Sequence, residues 1–454
     1  MDLAKRNLID LQQYIAFLED NNHLVRVKSE VDPYLELAGI AKKYEGGKAV
    51  LFEKVKGSEH PVLMGFYWHR GILADLFNTS VGELPFTIAN DIRAWRKSPM
   101  QSPVLKKGPA NEVIESDPDL YKLPIPHHSE GDGGCYLTSS VVIAKDPDTG
   151  VRNLSIHRMM VVGKTRLTLL LEELGHLMDY YKRAEAKGEA LELTVSNGID
   201  FPVLMAGAAP ASAAPIEMDE LGIASQLRGE PVELLESQTV GPEGIANAQF
   251  IIEGKILANV REAEGPYAEV TGYYAEREDR WVFEVSAITR RKQPVFQSIL
   301  SGKEVRNAFG IGASSAVFDK VHSLVPDVTA VHFSNGSVPY HLIVQIDKKH
   351  EGVQRNAIMA AFVSHPFVKT VTLVDTDVDL YSVDDVEWAV QTRCQFDNDI
   401  MLVDGIGHRL NPSVDDDKWT RMGIDATVPL PREEKFERAT VRNVNLEDYD
   451  IEDG

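Results

Sequence analysis

The order of strand and helix signals along the chain limits the folds that it can adopt. From about residue 112 to 300, strand signals dominate, and one clear helical segment at 171–187 interrupts them. After about residue 303, helical and strand-like segments alternate. The strand-rich stretch predicts a β-barrel or sandwich with inserted helices, and the alternation predicts a separate α/β or α+β unit. We therefore expect a multidomain protein of the α+β or α/β class.

Local patterns predict individual elements. An amphipathic helix is expected around residues 8–18, and the Pro-rich passage between 103 and 126 is typical of an extended linker. The other segments with a clear signal are strands at 50–52, 62–65, 137–144, 159–162, 250–260, 281–288, 328–333, 341–346 and 370–373, and helices at 91–96, 313–324, 354–364 and 384–392.

Composition excludes several classes of partner. A formal charge of -22 repels nucleic acid and anionic membranes, so that neither is expected to bind. With two cysteines, Cys135 and Cys394, the chain has no disulfide framework and no Cys-rich zinc module, which favours a reducing cytoplasm. The longest uncharged run, 201–216, is too short to cross a bilayer and contains three prolines.

Two carboxylates bracket a Gly-Pro turn. Glu264 and Glu269 flank Gly265-Pro266, and a strand-like run follows. Such a turn can hold two acids in one pocket, where mutual repulsion and loss of water let one of them keep its proton near neutral pH. A protonated carboxyl group of this kind suits general acid chemistry. A plain acidic surface turn is the alternative interpretation.

A second cluster lies on a predicted strand. Strand alternation places Asn153, Ser155 and His157 on one face and Ile156 and Arg158 on the other. Arg158 is suited to bind a carboxylate with two parallel hydrogen bonds. An ordinary amphipathic strand would show the same alternation.

Three dispersed residues form a candidate metal set. Asn153, His176 and Glu217 together offer one nitrogen and two oxygen ligands, which suit Mn²⁺ or Mg²⁺ better than Zn²⁺. The alternatives are a structural histidine on a helix and an acid that favours a helix N-terminus.

These residues, in this order and spacing, resemble the UbiD family of prenylated-FMN-dependent decarboxylases, and segments 386–393 and 422–427 resemble the C-terminal part of that family. The resemblance covers essentially the whole chain. It implies an N-terminal α/β region at 1–111, a split β-barrel domain that binds prenylated FMN at 112–305, and a C-terminal α/β oligomerisation domain with an acidic tail at 306–454. A homodimer is expected, with a hexamer as the alternative.

The resemblance also implies a set of cofactors. Asn153, His176 and Glu217 would bind Mn²⁺ next to the cofactor phosphate, and K⁺ is expected nearby. A flavin prenyltransferase would supply the prenylated FMN. The residues expected to contact this cofactor are Thr138, Asn153, Ser155, Ile156, His157, Arg158, His176, Ala209, Pro210, Glu217 and Lys369.

The implied activity is reversible, non-oxidative decarboxylation of an aromatic or heteroaromatic acid, such as a pyrrole, furan or indole carboxylate. The reaction would pass through a covalent adduct between substrate and prenylated FMN, so that the cofactor carries the electron-sink chemistry. Arg158, Glu264 and Glu269 are the expected catalytic residues: Arg158 orients Glu264, and Glu269 donates the proton. The residues expected to contact the substrate are Arg306, Phe309, His332 and Asn335.

Three other functions are consistent with parts of the pattern. A decarboxylase of phenolic acids is the nearest alternative. A metal-dependent hydrolase would use the candidate metal set with the paired acids and would work without flavin. A flavin-binding or assembly protein would not depend on Glu269.

Overall fold

The structure is a computed structural model that describes residues 3, 5–173, 175–209, 214–334, 336–337, 340–407, 411–414, 418–439, 441–442, 444–445 and 449. Pro210, Asn335, the side chain of Phe309 and nearly all of the acidic end at 446–454, which figure in the sequence predictions, lie outside these residues.

The described residues form ten α-helices and 23 strands. In chain order, the helices are α1 (Leu11–Asp20), α2 (Glu36–Lys43), α3 (Arg70–Leu76), α4 (Leu84–Lys97), α5 (His176–Ala186), α6 (Phe201–Gly207), α7 (Leu221–Arg228), α8 (Lys303–Leu324), α9 (Val353–Ser364) and α10 (Val383–Arg393). The strands are β1 (Leu24–Val31), β2 (Ala49–Val55), β3 (Val62–Met64), β4 (Val104–Leu105), β5 (Val113–Glu115), β6 (Tyr136–Leu137), β7 (Ser140–Lys145), β8 (Arg152–Ile156), β9 (Met159–Gly163), β10 (Arg166–Leu169), β11 (Leu191–Asn197), β12 (Leu234–Leu235), β13 (Gly244–Ile245), β14 (Phe250–Glu264), β15 (Tyr267–Ala268), β16 (Tyr274–Ala275), β17 (Glu278–Arg290), β18 (Phe296–Gln297), β19 (Val328–Phe333), β20 (His341–Ile346), β21 (Thr370–Asp375), β22 (Ile400–Ile406) and β23 (Lys418–Ala426).

A nine-stranded sheet forms the centre of the protein. Its strands follow the order β6-β9-β10-β17-β14-β11-β7-β8, and β5 joins the edge of β17. The two longest strands, β14 and β17, pair antiparallel along most of their length. Within the described residues this path is open, because β6 and β8 stand at its two ends. The two edges of the sheet, formed by β6 and β8, are therefore available to carry a functional site.

Smaller units flank this sheet. In the N-terminal region, β1, β2 and β3 form a four-stranded sheet with β18, which comes from beyond the central strands. In the C-terminal region, five strands in the order β19-β20-β21-β23-β22 pack against α8 and α9. In the described part of the chain, every helix is too short or too polar to cross a bilayer.

The hydrophobic cores join the first two regions. One core connects Leu11 and Tyr14 of α1 with Val141 of β7 and Leu204 of α6. A second core connects Phe52 of β2 with residues of the central sheet. The C-terminal residues form two further cores, around β19 to β21 and beside α10. The N-terminal region is thus packed as part of the central body.

The mixed α/β multidomain fold expected from the sequence is confirmed. Two details of the prediction were wrong. The Pro-rich passage is not a free linker, because β4 pairs with β12 and β5 pairs with β17. The helix predicted at 313–324 begins at Lys303, since the first turn is held by backbone bonds from Tyr67 and Leu300 to the buried carboxyl of Glu304.

The helix predicted at 171–187 begins later, at His176. Residues 137–144, predicted as one strand, are divided into β6 and β7 at Thr138 and Ser139, where the Thr138 hydroxyl bonds to the backbone of Ile299. Both differences place a polar side chain at the end of an element, and Thr138 borders the cavity described below.

The Gly-rich segment 131–134 packs against the turn between β14 and β15. The Gly133 amide donates to the carbonyl of Pro266 at 2.7 Å, and the Ala268 amide donates to Asp132 Oδ1 at 2.8 Å. A Cβ atom at Gly133 would lie 2.1 Å from the carbonyl oxygen of Gly265. Gly265 itself has φ of 97°, which favours glycine. The two backbones therefore need glycine to approach this closely.

Gly133→Ala should destabilise the protein because the methyl group overlaps backbone that cannot move independently. We expect the free energy of unfolding to fall by more than about 2 kcal/mol, as measured by thermal or denaturant unfolding. Gly39→Ala is the control, since a Cβ there meets no atom within 4 Å and lies in α2. It should leave stability unchanged or raise it by up to about 1 kcal/mol. Equal stability of the two variants would contradict this packing argument.

Candidate active site

A buried guanidinium group joins two carboxylates. Arg158 Nε and Nη2 donate to the two oxygens of Glu264 at 3.1 and 3.0 Å, which is bidentate pairing. Arg158 Nη1 donates to Glu269 Oε1. The three residues predicted from the sequence are therefore in direct contact. A planar guanidinium group suits this arrangement because its donors are fixed in a fork.

The two carboxylates have different surroundings. Glu264 is fully buried, and its Oε1 also accepts a hydrogen bond from the Tyr136 hydroxyl at 2.9 Å. Arg280 Nε lies 3.9 Å from its other oxygen. The side chain of Glu269 is 14% exposed, its described carboxylate contact is with Arg158 alone, and it borders the cavity. Glu264 is thus enclosed by hydrogen-bond donors, whereas Glu269 faces the cavity.

Local strand geometry brings these groups together. β8 ends at Ile156 and β9 begins at Met159, so Arg158 lies in the short connection between them. β14 ends at Glu264, and the Gly-Pro turn returns the chain to β15. The two acids are therefore held on either side of one turn, as their spacing in the sequence predicts.

A chain of hydrogen bonds follows one face of β8. His157 Nδ1 lies 2.7 Å from the carbonyl of Leu170, and His157 Nε2 lies 3.0 Å from Ser155 Oγ. Burial lowers the pKa of His157 to about 4, so the ring is neutral and donates from Nδ1. Ser155 then donates to Nε2 and accepts from Asn153 Nδ2 at 3.0 Å. This order directs the amide oxygen of Asn153 away from Ser155.

Glu220, and not Glu217, approaches the predicted metal ligands. Glu220 Oε1 lies 3.5 Å from His176 Nδ1, and its Oε2 accepts from the Leu154 amide, next to Asn153. Glu220 is buried, whereas Glu217 lies in an exposed turn three residues earlier. The structure thus brings Glu220, rather than the predicted Glu217, next to Asn153 and His176, because α7 begins at Leu221 and turns the later acid inward.

A hard divalent cation could be bound by three side chains of this site, those of Asn153, His176 and Glu220. An amide oxygen, an imidazole nitrogen and a carboxylate oxygen are ligands that Mn²⁺ and Mg²⁺ tolerate. His176 Nδ1 and Glu220 Oε1 are separated by 3.5 Å, a spacing that two ligands of one cation can adopt. Among the described residues, clusters of three or more His, Cys, Asp or Glu side chains with metal-binding geometry are absent, so the amide is essential to this set.

A cavity of about 460 Å³ opens beside Arg158 and Glu269. Its walls are mainly apolar and come from the central sheet, from α6 and from the C-terminal region. Polar groups lie at its edges. The lining residues that bear on the chemistry are Thr138, Ile156, His157, Arg158, Glu172, Met205, Tyr267, Glu269, Ser301, Arg306 and Phe367.

Several predicted cofactor and substrate residues lie elsewhere. His332 is buried against Arg70, whose Nη1 is 2.7 Å from His332 Nδ1, and it does not line the cavity. The structure therefore does not bring His332 to the cavity, because β19 directs the ring toward Arg70 of α3. Lys369 donates to Ser413 and lies over Trp419, also away from the lining residues. Ala209 is partly buried beside the cavity wall formed by Gly207 and Ala208.

Sequence reasoning missed four residues at this site: Glu220, Tyr136, Glu172 and Phe367. The acidic run 217–220 contained the signal for Glu220, but its correct member depends on where α7 begins. Glu172 borders the cavity, and burial raises the pKa of its carboxyl group. Tyr136 and Phe367 come from distant segments, and no motif marked them.

Comparison with protein families accounts for nearly the whole chain. Residues 103–304 match the 3-octaprenyl-4-hydroxybenzoate carboxy-lyase Rift-related domain, and residues 15–92 and 308–426 match the N-terminal and C-terminal domains of the same enzyme. The chain belongs to the UbiD family. It is accordingly a carboxy-lyase, as the sequence predicts.

Relatives of this UbiD-family chain cover its full length. A Rhodospirillum rubrum protein named for its place in the cooM 5′ region is 45% identical over 99% of this chain and 97% of its own length. The anhydromevalonate phosphate decarboxylase of Methanothermobacter thermautotrophicus is 35% identical over 91% of this chain and 96% of its own length. Homologues of this carboxy-lyase therefore include named decarboxylases.

Solved structures agree with this UbiD-family fold. The UbiD-class enzyme HmfF from Pelotomaculum thermopropionicum, in complex with FMN, superposes with a TM-score of 0.92 at 39% identity, covering 97% of this chain and 100% of that one. The 3,4-dihydroxybenzoic acid decarboxylase of Enterobacter cloacae has a TM-score of 0.91 at 29% identity, covering 97% and 98%. An evolved dimeric form of HmfF carries prFMN.

Proposed function

We propose that the protein catalyses reversible, non-oxidative decarboxylation of a compact heteroaromatic or aromatic acid with prenylated FMN. The observation that carries this proposal is the contact of Arg158 with both Glu264 and Glu269 beside an apolar cavity. FMN and prFMN bound to HmfF support the cofactor. When bound, prenylated FMN supplies the electron sink that an sp² carbon needs to lose CO₂.

The lining of the cavity supports this cofactor. Thr138, Ile156 and His157 line it beside Arg158, and the smooth wall at Gly207 and Ala208 suits a flat ring. Asn153, His176 and Glu220 would hold Mn²⁺ next to the cofactor phosphate. K⁺ remains a prediction without assigned residues. The assignment of residues 112–305 to a split-barrel flavin domain, between an N-terminal region at 1–111 and an oligomerisation domain at 306–454, is part of the same proposal.

The acid network determines where the proton resides. Glu264 accepts hydrogen bonds from Arg158 and Tyr136 and does not border the cavity, so it fixes the position of Arg158. Glu269 borders the cavity and has one donor, so it can alternate between the acid and the carboxylate. Glu269 therefore donates a proton to the carbon that loses CO₂ and removes that proton in the carboxylation direction. Arg158 also offers a local cation to the substrate carboxylate in a strongly acidic protein.

Arg306 supports a substrate with a second polar or anionic group. It lines the cavity from α8 and donates to the Gly336 carbonyl at 3.3 Å, and its buried Nε has no hydrogen-bond partner in the described part of the chain. A small ring with two acidic groups, such as a furan or pyrrole dicarboxylate, would place one group at Arg158 and the other at Arg306.

A phosphate-bearing acid is the second candidate substrate. The unpaired Arg306 and the 35% identity to an anhydromevalonate phosphate decarboxylase favour it. Phenolic acids are the third, because a structural relative is a 3,4-dihydroxybenzoic acid decarboxylase. We further propose a homodimer in the cytoplasm, loaded by a flavin prenyltransferase, with a hexamer as the alternative assembly.

The proposed function is tested with protein co-expressed with a flavin prenyltransferase. The small molecule that it releases should have the mass of prenylated FMN, and the holoenzyme should release CO₂ from one of the three classes of acid. Glu269→Gln should lower kcat by about 10²- to 10⁴-fold, the usual contribution of a general acid, with flavin content unchanged. Glu276→Gln is the matched control, because this exposed acid lies directly after β16 and does not line the cavity. Full turnover by Glu269→Gln would contradict the proton-donor role.

The metal assignment is tested without turnover, by titrating FMN-loaded protein with Mn²⁺ and measuring free Mn²⁺ by electron paramagnetic resonance. Glu220→Gln should weaken Mn²⁺ binding by at least about 10-fold, since it replaces an anionic ligand with a neutral one. Glu217→Gln should bind within about twofold of the unsubstituted protein, because Glu217 is exposed and three residues away. Loss of binding in Glu217→Gln, with none in Glu220→Gln, would restore the original assignment.

Substrate selection is tested by comparing acids with and without a second anionic group. Arg306→Gln should lower kcat/KM for a dianionic acid by about 30-fold, equivalent to about 2 kcal/mol for a partly desolvated ion pair. The same variant should act on the matching monoacid within about threefold of the unsubstituted enzyme. An equal loss for both acids would show that Arg306 does not contact the second group.

A further inference from the structure

The carboxylate of Glu264 has a neutral hydrogen-bond donor that neither the sequence nor the pairing with Arg158 explains. Tyr136, at the start of β6, is fully buried, and its hydroxyl lies 2.9 Å from Glu264 Oε1. The carbonyl of Pro266 is farther away, at 3.3 Å. The phenol has one proton for two acceptors, and the nearer acceptor is also the charged one, which makes the stronger bond.

The Tyr136 hydroxyl remains a donor under all working conditions. Burial raises the pKa of this phenol well above its usual value of 10, and the nearby carboxylate of Glu264 raises it further. Because the phenol stays neutral, it stabilises the anion without adding a positive charge next to Arg158. The carboxylate is thus favoured while the attraction between Arg158 and a substrate acid is preserved.

The Tyr136 ring also contacts the wall of the cavity. Its centroid lies 4.5 Å from that of Tyr267, and the guanidinium carbon of Arg158 lies 4.9 Å from the centroid of Tyr267. Tyr136 itself does not line the cavity. It can therefore influence the reaction only through Glu264, Tyr267 and Arg158.

We propose that Tyr136 is a positioning residue of the decarboxylation, which holds the carboxyl group of Glu264 in place and thereby keeps Arg158 directed at Glu269. The inference rests on the proposed function, in which Glu264 fixes Arg158 during turnover. Two backbone contacts support this positioning role. β6 pairs with β9 directly after Arg158, and the Gly133 amide donates to the turn that follows Glu264.

Few charged groups lie near Glu264 in the described part of the chain. β17 contributes Arg280 and Glu278, the latter opposite Glu264 in the strand register. The remaining titratable groups near this carboxylate and its partners are Arg158, Tyr136, Tyr267, Glu269, Asp132 and Glu172. Of these, Tyr136 is the neutral group that donates directly to Glu264.

Tyr136→Phe removes the hydroxyl and keeps the ring, so it separates positioning from packing. In the flavin-loaded enzyme we expect kcat to fall by about tenfold or more, with KM within about threefold, because Tyr136 does not touch the substrate. The acidic limb of the pH profile of kcat should move to higher pH by about one unit, since a carboxylate that loses a donor is protonated more readily. Tyr340→Phe is the control, because the Tyr340 hydroxyl has no partner in the described residues.

A second measurement does not require turnover. Infrared difference spectra between acidic and neutral pH report protonation of carboxylates, and the band that disappears in Glu264→Gln identifies Glu264. The midpoint of that band should rise in Tyr136→Phe and stay constant in Tyr340→Phe. If no acid is decarboxylated by the unsubstituted holoenzyme, the proposed function fails, and this midpoint still decides the role of Tyr136.

Two results would overturn the inference. In the first, Tyr136→Phe has the kcat and the pH profile of the unsubstituted enzyme. In the second, Tyr136→Phe loses activity while both the acidic limb and the infrared midpoint stay in place, which would show that the hydroxyl serves only to hold the structure.

Discussion

The site depends on one buried guanidinium group. Arg158 is almost fully enclosed, and a buried cation of this kind is tolerated only with anionic partners that use its donors well. Glu264 satisfies two of its nitrogens and Glu269 a third. The strands that carry these residues, the Gly-Pro turn and the close contact at Gly133 all serve to keep that pairing in one geometry. Removing either carboxylate would therefore change the position of the cation as well as the local charge.

Much of this arrangement could be predicted because its parts are local. Asn153, Ser155 and His157 share a face through strand alternation, and the structure joins them by hydrogen bonds. The spacing of Glu264 and Glu269 around one turn likewise fixes their proximity. The ordered set of residues then indicates the UbiD family, which the three domain matches confirm. The C-terminal strands β19 and β20 were located from their apolar runs alone.

The remaining features depend on helix starts and on contacts between distant segments. Glu217 and Glu220 lie in the same acidic run, and only the beginning of α7 at Leu221 determines which of them is buried. His332 was expected at the substrate because its segment follows α8, yet the register of β19 turns it toward Arg70. Tyr136 reaches Glu264 across 128 residues of chain, and a lone tyrosine beside a Gly-rich segment carries no signal of that contact.

In the proposed function, proton transfer and substrate selection fall to different regions of the protein. The acid network lies entirely on the central strands and their turns, where backbone hydrogen bonds fix it. Arg306 and Phe367 border the same cavity from the C-terminal region, whose strands form a separate sheet and whose cores are separate from the central ones. Substitutions in the C-terminal region can therefore alter the groups that face a substrate while Arg158, Glu264 and Glu269 keep their contacts. In the proposed function, this division would let the same acid network serve acids of different shapes.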